Sequence, residues 1–118
     1  MGFDFNNEVP IYLQIIEDIK MQIISNKYSL NQKLLSVREM SVVYGVNPNT
    51  IQKALAELED MGLVYTERTN GKFVTKDKKV VEKIRKQTID KMMKDFVESM
   101  NDIGVDKAQI IDLLGKKE

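Results

Sequence analysis

The most restrictive feature of this sequence is a short helical segment with a start signal and a stop signal. Ser36 followed by Glu39 is a capping-box pattern, in which a hydroxyl and a carboxylate satisfy free backbone amides at a helix start. Gly45 can adopt the left-handed backbone that ends a helix and turns the chain sharply. The two signals predict a helix over residues 37–44.

A second helix is predicted directly after this turn. Asn47 is suited to cap it, and Pro48 fits its first turn because proline needs no amide partner there. Apolar residues at helical spacing then continue to Gly62, and they are Ile51, Ala54, Leu55, Leu58 and Met61. Two helices joined by a tight glycine turn predict a helix-turn-helix.

A β-hairpin is predicted next. Residues 63–66 and 72–75 are β-type runs, and the turn residues Arg68, Thr69, Asn70 and Gly71 join them. A hairpin directly after the second helix of a helix-turn-helix is the wing of a winged helix.

The flanking segments complete the predicted fold. Isoleucines at 3–4 spacing predict a helix from Pro10, in its first turn, to about Ser25, with Ile11, Ile15, Ile16, Ile19 and Ile23 on its apolar face. Residues 27–35 predict a loop with a short extended piece, anchored by Leu30, Leu34 and Leu35. Two further helices are predicted from Lys78 to about Gly104 and from Asp106 to Leu114, the last ending at Gly115.

The predicted fold class is therefore mainly α with a small β-hairpin. A winged helix-turn-helix over residues 1–76 is followed by a two-helix C-terminal tail over residues 77–118.

Composition excludes several kinds of chemistry. The chain has neither cysteine nor histidine, so disulfides, thiolate zinc sites and His-based nucleophile systems are absent. We expect no catalytic residues, no bound metal, no cofactor and no enzymatic activity. No segment matches a signal peptide or a membrane span, so we expect a cytoplasmic protein without membrane contact.

The charge balance limits how the chain can bind nucleic acid. The net charge is zero, and residues 1–75 carry seven basic against nine acidic side chains. Contacts to phosphate must therefore come from local clusters. Six basic residues between 76 and 86 form one such cluster, either a solvated face or an auxiliary phosphate patch, and they are Lys76, Lys78, Lys79, Lys83, Arg85 and Lys86.

The residues predicted to contact DNA follow from how a winged helix binds. Its second helix enters the major groove, where amide side chains can read adenine, and its wing contacts the neighbouring backbone. The groove-facing candidates are Asn47, Pro48, Asn49, Thr50, Gln52 and Lys53. Ser36 and Arg38 are candidates for phosphate contact. The wing candidates are Arg68, Asn70, Gly71 and Lys72.

Five segments in unbroken order resemble the GntR family of bacterial regulators. They are Pro10-Ile11-Tyr12, residues 33–40 (KLLSVREM), residues 45–54 (GVNPNTIQKA), residues 58–64 (LEDMGLV) and residues 70–74 (NGKFV). The short helical tail resembles that of the YtrA subgroup, whose members dimerise through the tail and often control transporter operons.

The resemblance implies a dimeric transcription regulator that binds a roughly palindromic operator in double-stranded DNA. We expect it to be a repressor of a transporter-type operon. Arg38, Asn47, Pro48, Asn49, Gln52 and the Asn70-Gly71 turn fall on positions that the family uses for DNA contact. The family often has glycine where Asn31 stands, and proline where Leu35 stands. It frequently has arginine where Gln52 stands, so we expect an operator rich in A·T pairs.

The tail is predicted to be the dimer interface, because its apolar face has little domain behind it to cover it. The residues assigned to this interface are Ile89, Met92, Met93, Phe96, Val97, Met100, Ile110 and Leu114. The methionines could instead line a ligand pocket. If the protein has a small-molecule effector, it is expected at the tail-to-head junction or at the dimer interface; otherwise induction acts by another route.

Less specific interpretations remain beside these. Arg38 could form a surface ion pair with Glu39 or another acid, and Asn49 and Gln52 could be solvated. The neutral charge favours a second hypothesis, a winged-helix protein-interaction module without DNA binding.

Overall fold

The computed structural model describes residues 3–116 and has the predicted fold class. Its elements, in chain order, are α1 (Ile11–Ile24), α2 (Val37–Tyr44), α3 (Pro48–Asp60), β1 (Val64–Glu67), β2 (Gly71–Val74), α4 (Lys78–Asp102) and α5 (Lys107–Lys116). A winged helix-turn-helix is thus followed by two C-terminal helices.

The core of the first part of the chain is built from α1, α2, α3 and the hairpin. Ile15, Ile19 and Ile23 of α1 are almost fully buried, as the isoleucine spacing predicts. The buried residues of α3 are Ile51, Ala54, Leu55 and Leu58. Leu63, Val64 and Val74 close the core from the hairpin. Burial of this apolar surface is the main stabilising term of the fold.

The α2–α3 turn has the predicted local geometry. Ser36 Oγ accepts a hydrogen bond from the Glu39 amide, and the Ser36 amide donates to the Glu39 carboxylate, completing the capping box. Gly45 ends α2 at φ +70°, where a side chain would be strained. Asn47 Oδ1 then accepts from the Asn49 amide at 2.8 Å, which caps α3.

The wing is a two-stranded antiparallel hairpin. Its register pairs Val64 with Val74 and Glu67 with Gly71, one residue away from the predicted strand bounds. The predicted extended piece of the preceding loop is an isolated bridge between Lys33 and Phe73. Asn31, where the family often has glycine, adopts the left-handed conformation at φ +65°.

Several packing predictions were wrong. Ile11 is 44% exposed, and Ile16 is only half-buried. Pro10 precedes α1 with an extended ψ of 138°, so it occupies the cap position instead of the first turn. Of the predicted loop anchors, Leu34 is buried, but Leu30 and Leu35 are exposed. Met61, predicted in the α3 core stripe, is 36% exposed beyond the last helical residue.

The chain divides into two compact units, one up to Lys83 and one from Ile84 onward. The functional division at residue 76 stays a prediction. In the second unit, Asp106 and Gln109 exchange hydrogen bonds at the start of α5. Gly115 does not end this helix as predicted, because α5 continues through it to Lys116.

Within residues 3–116, no helix is both long enough and apolar enough to cross a membrane.

Candidate nucleic-acid interface

Helix α3 has a buried face and an exposed polar face, and the exposed face carries most of the predicted groove contacts. Asn47, Pro48, Asn49, Gln52 and Lys53 are exposed, and Thr50 is half-buried. The N-terminus of a helix carries free amides and a partial positive charge, which favours approach to phosphate. The arrangement therefore presents amides and one ammonium group at the positive end of a helix.

Lys53 contacts an aromatic ring, that of Tyr12, which is not among the predicted site residues. Its Nζ lies 3.8 Å from the centroid of the Tyr12 ring of α1, a cation–π contact. Tyr12 and Lys53 also line a shallow surface pocket with Ile11, Asn49 and Thr50. Nothing in the local spacing around Tyr12 signals this contact, because the two residues belong to different helices.

Arg38 lies in the first turn of α2 and is exposed. Among residues 3–116, its guanidinium group has no hydrogen-bond or ion-pair partner, so the alternative of a surface pair with Glu39 is not realised. The Glu39 carboxylate instead accepts the Ser36 amide at 2.9 Å. Arg38 is thus available to an external anion.

Ser36 already makes hydrogen bonds within the fold, in the capping box of α2. Its hydroxyl oxygen accepts the Glu39 amide at 3.1 Å. The hydrogen bonds from Ser36 lower the pKa of the Glu39 carboxyl below its ordinary value, the backbone bond contributing most. The Ser36 hydroxyl is one of these donors, so its hydrogen would have to leave the Glu39 carboxylate to bond an external acceptor.

The wing presents Arg68, Asn70 and Gly71 at its exposed tip. Asn70 Nδ2 donates to the Glu67 carboxylate at 3.3 Å, and Gly71 has φ +102°, which favours glycine at this position. Arg68 is therefore the cation at the tip itself.

Lys72 differs from the other wing candidates because it is half-buried and already bound. Its Nζ donates to Thr66 Oγ1 at 2.7 Å and to Glu59 Oε1 at 3.3 Å. These bonds join the hairpin to α3. A phosphate contact by Lys72 would require it to leave or share these partners.

In the C-terminal unit, most of the residues assigned to dimerisation are uncovered. The exposed fractions are 47% for Ile89, 56% for Met92, 57% for Met93, 42% for Phe96 and 58% for Leu114. Val97 and Met100 are half-buried. Ile110 differs, since it is only 5% exposed and is therefore covered within the single chain.

No group of three or more acidic side chains is placed to hold a metal ion within the part of the chain that the structure describes.

A family model described as bacterial regulatory proteins, gntR family, matches residues 11–74. That range runs from the start of α1 to the end of β2. It contains every residue assigned above to DNA contact.

Two curated relatives from Bacillus subtilis are similar in sequence. The HTH-type transcriptional regulator YhcF is 33% identical over 112 residues, which cover 95% of this chain and 93% of the relative. The HTH-type transcriptional repressor YtrA is 37% identical over 76 residues, which cover 64% of this chain and 58% of the relative.

Two solved structures are similar in fold. A GntR family transcriptional regulator from Listeria monocytogenes has a TM-score of 0.88 at 38% identity, over 97% of this chain and all of that one. AraR(DBD) in complex with operator ORE1 has a TM-score of 0.56 at 31% identity, over 64% of this chain and 94% of that one. The first match includes the C-terminal helices.

Proposed function

The chain belongs to the gntR family of bacterial regulatory proteins, and we propose that it is a repressor that binds a roughly palindromic operator as a homodimer. The observation that carries the proposal is the polar, exposed N-terminal half of α3, which lies over a fully packed opposite face. AraR(DBD), whose fold is similar, is itself in complex with an operator. We assign DNA binding to residues 1–76 and dimerisation to residues 77–118.

Base recognition is assigned to α3. Asn49 and Gln52 are exposed amides one turn apart, and an amide can bond an adenine edge through two hydrogen bonds. Asn47, Pro48 and Thr50 complete the surface that enters the groove. Lys53, fixed against Tyr12, supplies a positive charge beside the amides. We therefore propose an operator rich in A·T pairs.

Phosphate contact is assigned to α2 and the wing. The Arg38 guanidinium, which has no partner among residues 3–116, suits bidentate phosphate binding, and the Ser36 hydroxyl would donate beside it on leaving Glu39. Arg68 and the Asn70-Gly71 turn contact the backbone at the wing tip. Lys72 contributes mainly by fixing the wing to α3, since its ammonium group is bound by Thr66 and Glu59.

The dimer is assigned to the exposed stripe of α4, with Met93 and Phe96 at its centre. Large exposed apolar side chains on one helix face are costly in a monomer, and pairing with a second chain would cover them. A twofold dimer places two α3 helices on two half-sites, which is the reason for the palindrome.

We propose repression instead of activation because the similar protein YtrA is named a transcriptional repressor. The tail of two helices supports membership of the YtrA subgroup, although YhcF matches over more of this chain. A transporter-type operon as the target is proposed from that subgroup resemblance alone.

The rival function is a winged-helix interaction module, and the charge favours it. The net charge of zero and the acidic excess of residues 1–75 give little general attraction to DNA. Two features weigh against it: the exposed Arg38, which has no partner in the described part of the chain, and the amide face of α3. A protein surface that has lost DNA binding has no need of this arrangement.

The experiment is a nuclease footprint of the purified full chain on the promoter DNA upstream of its own gene. We expect protection of a dyad-symmetric site that weakens as salt rises. No protection at low salt, by protein shown to be folded and dimeric, would favour the interaction module.

A further inference from the structure

A cavity of about 290 Å³ lies within the first unit, between the start of the described chain, α1 and α2. Three aromatic side chains, Phe3, Tyr28 and Tyr44, and one carboxylate, Asp18, line it. No lysine or arginine among residues 3–116 lines it. The cavity is therefore an aromatic site that contains an acid and no basic side chain to neutralise it.

The Asp18 carboxylate is fixed through one of its oxygens. Oδ2 accepts the Tyr44 hydroxyl at 2.6 Å and the Gln22 amide at 2.8 Å. Oδ1 accepts no hydrogen bond, and Asp18 has no ion-pair partner, within the described part of the chain. One oxygen thus holds the side chain in place while the other is available.

The surrounding phenols respond to this negative charge. Burial and the charge of Asp18 raise the pKa of Tyr28, and burial together with the hydrogen bond to Asp18 raises the pKa of Tyr44. Both rings are therefore neutral. Phe3 packs edge-on against Tyr44, with ring centroids 5.5 Å apart.

We propose that this cavity binds a small organic ammonium ion. The faces of neutral aromatic rings attract cations, and a nearby carboxylate adds charge attraction. A metal cation is a poor occupant, because it requires several oxygen ligands. Asp18 is the one carboxylate among the described lining residues, the Gln22 amide already donates to it, and the remaining wall is formed by Leu35, Met40 and Val43. The volume is at the lower end of that of ligand sites, about 300 Å³, so the ligand is small.

The sequence predicts an effector at the tail-to-head junction or at the dimer interface. The cavity instead lies beside α2, which contributes Met40, Val43 and Tyr44 to its lining. A bound cation would therefore contact Met40, Val43 and Tyr44, on the helix whose first turn carries Arg38.

The test uses choline as the probe and 3,3-dimethyl-1-butanol, its uncharged carbon analogue, as the matched control ligand. Calorimetric titration of the full chain without DNA should give saturable binding of one choline per chain and no measurable binding of the alcohol. Since DNA is left out, the result does not depend on whether operator binding is correct.

Two variants test the assignment of the site. Asp18→Asn keeps the shape and an acceptor for Tyr44 but removes the charge, and it should weaken choline binding by about tenfold or more. Val43→Lys places a competing cation at the half-exposed cavity wall and should have the same effect without changing the hydrogen bonds of Asp18 to Tyr44 and Gln22.

The matched control is Val42→Lys. Val42 is the neighbouring residue of α2, is 77% exposed and does not line the cavity, so this variant should bind choline as the wild type does. Equal binding of choline and the alcohol, or no saturable binding of choline, would overturn the proposal. Unchanged choline affinity in both Asp18→Asn and Val43→Lys would overturn it as well.

Discussion

The Lys53 ammonium lies 3.8 Å from the centroid of the Tyr12 ring, which joins α1 to the exposed face of α3. A lysine on a helix surface usually samples many rotamers, and ordering it costs conformational entropy. The ring fixes this ammonium before DNA arrives. Tyr12 is thereby a positioning residue for the proposed interface.

Replacing Tyr12 should weaken operator binding through Lys53. An exposed cation–π contact contributes about 0.5–1 kcal/mol, so we expect Tyr12→Leu to lower operator affinity about two- to fivefold. Tyr12→Phe keeps the ring and should bind nearly as the wild type does. Fluorescence anisotropy with a labelled operator measures both variants. An equal loss of operator affinity in Tyr12→Leu and Tyr12→Phe would contradict a role for the face of the aromatic ring.

Removing the Arg38 guanidinium should lower the affinity for the operator without lowering the stability of the fold. Because the group has no partner among residues 3–116, Arg38→Ala should unfold at the same temperature as the wild type. Its operator affinity should fall about tenfold, and the slope of log affinity against log salt should decrease by about one. Arg38→Lys, the control, keeps the charge and should keep the salt slope. Wild-type operator affinity in Arg38→Ala would remove this residue from the interface.

A charge in the α4 stripe should dissociate the proposed dimer. Met93 is 57% exposed in the single chain, and Met93→Glu would bury a carboxylate in an apolar interface. Sedimentation velocity should show a monomer, and tight operator binding should be lost. Gln87→Glu adds the same charge to an exposed position off the stripe and should sediment as a dimer. A stable Met93→Glu dimer would refute the tail as the interface.

The capping box should make folding stability fall in acid. The Glu39 pKa lies below its ordinary value of 4.5 because the folded chain donates hydrogen bonds to the carboxylate. A carboxylate with a lowered pKa stabilises the fold above that ordinary value, and the contribution is lost as pH falls through the folded pKa. Urea unfolding at about pH 6 and about pH 3.5 should therefore show a smaller acid-induced loss in Glu39→Gln than in the wild type. An identical loss of stability in the two proteins would show that Glu39 does not contribute to the acid sensitivity of the fold.

Local hydrogen-bond chemistry made α2, α3 and the wing predictable. The signals at Ser36, Gly45 and the Asn70-Gly71 turn act over only a few residues. Both partners of each such interaction are therefore close together in the sequence and can be recognised from it. The position of the exposed polar face of α3 follows directly from the buried stripe opposite to it.

Contacts between distant segments were not predictable in the same way. The Tyr12–Lys53 pair and the bonds of Lys72 to Glu59 and Thr66 depend on how α1, α3 and the wing pack. Side-chain type alone predicted burial for Leu35, but tertiary packing leaves it exposed. Glycine is typical of a helix end, yet α5 continues through Gly115 to Lys116.

The most direct test of the central claim is a competition measurement between the footprinted operator and a scrambled duplex of equal length and composition. Anisotropy titrations across a range of salt concentrations would give the affinities of the chain for both duplexes. The account predicts that the operator binds at least about a thousandfold more tightly at physiological salt, and that both affinities fall as salt rises. Equal affinities for the two duplexes, measured with a folded dimer, would contradict sequence-specific recognition by α3.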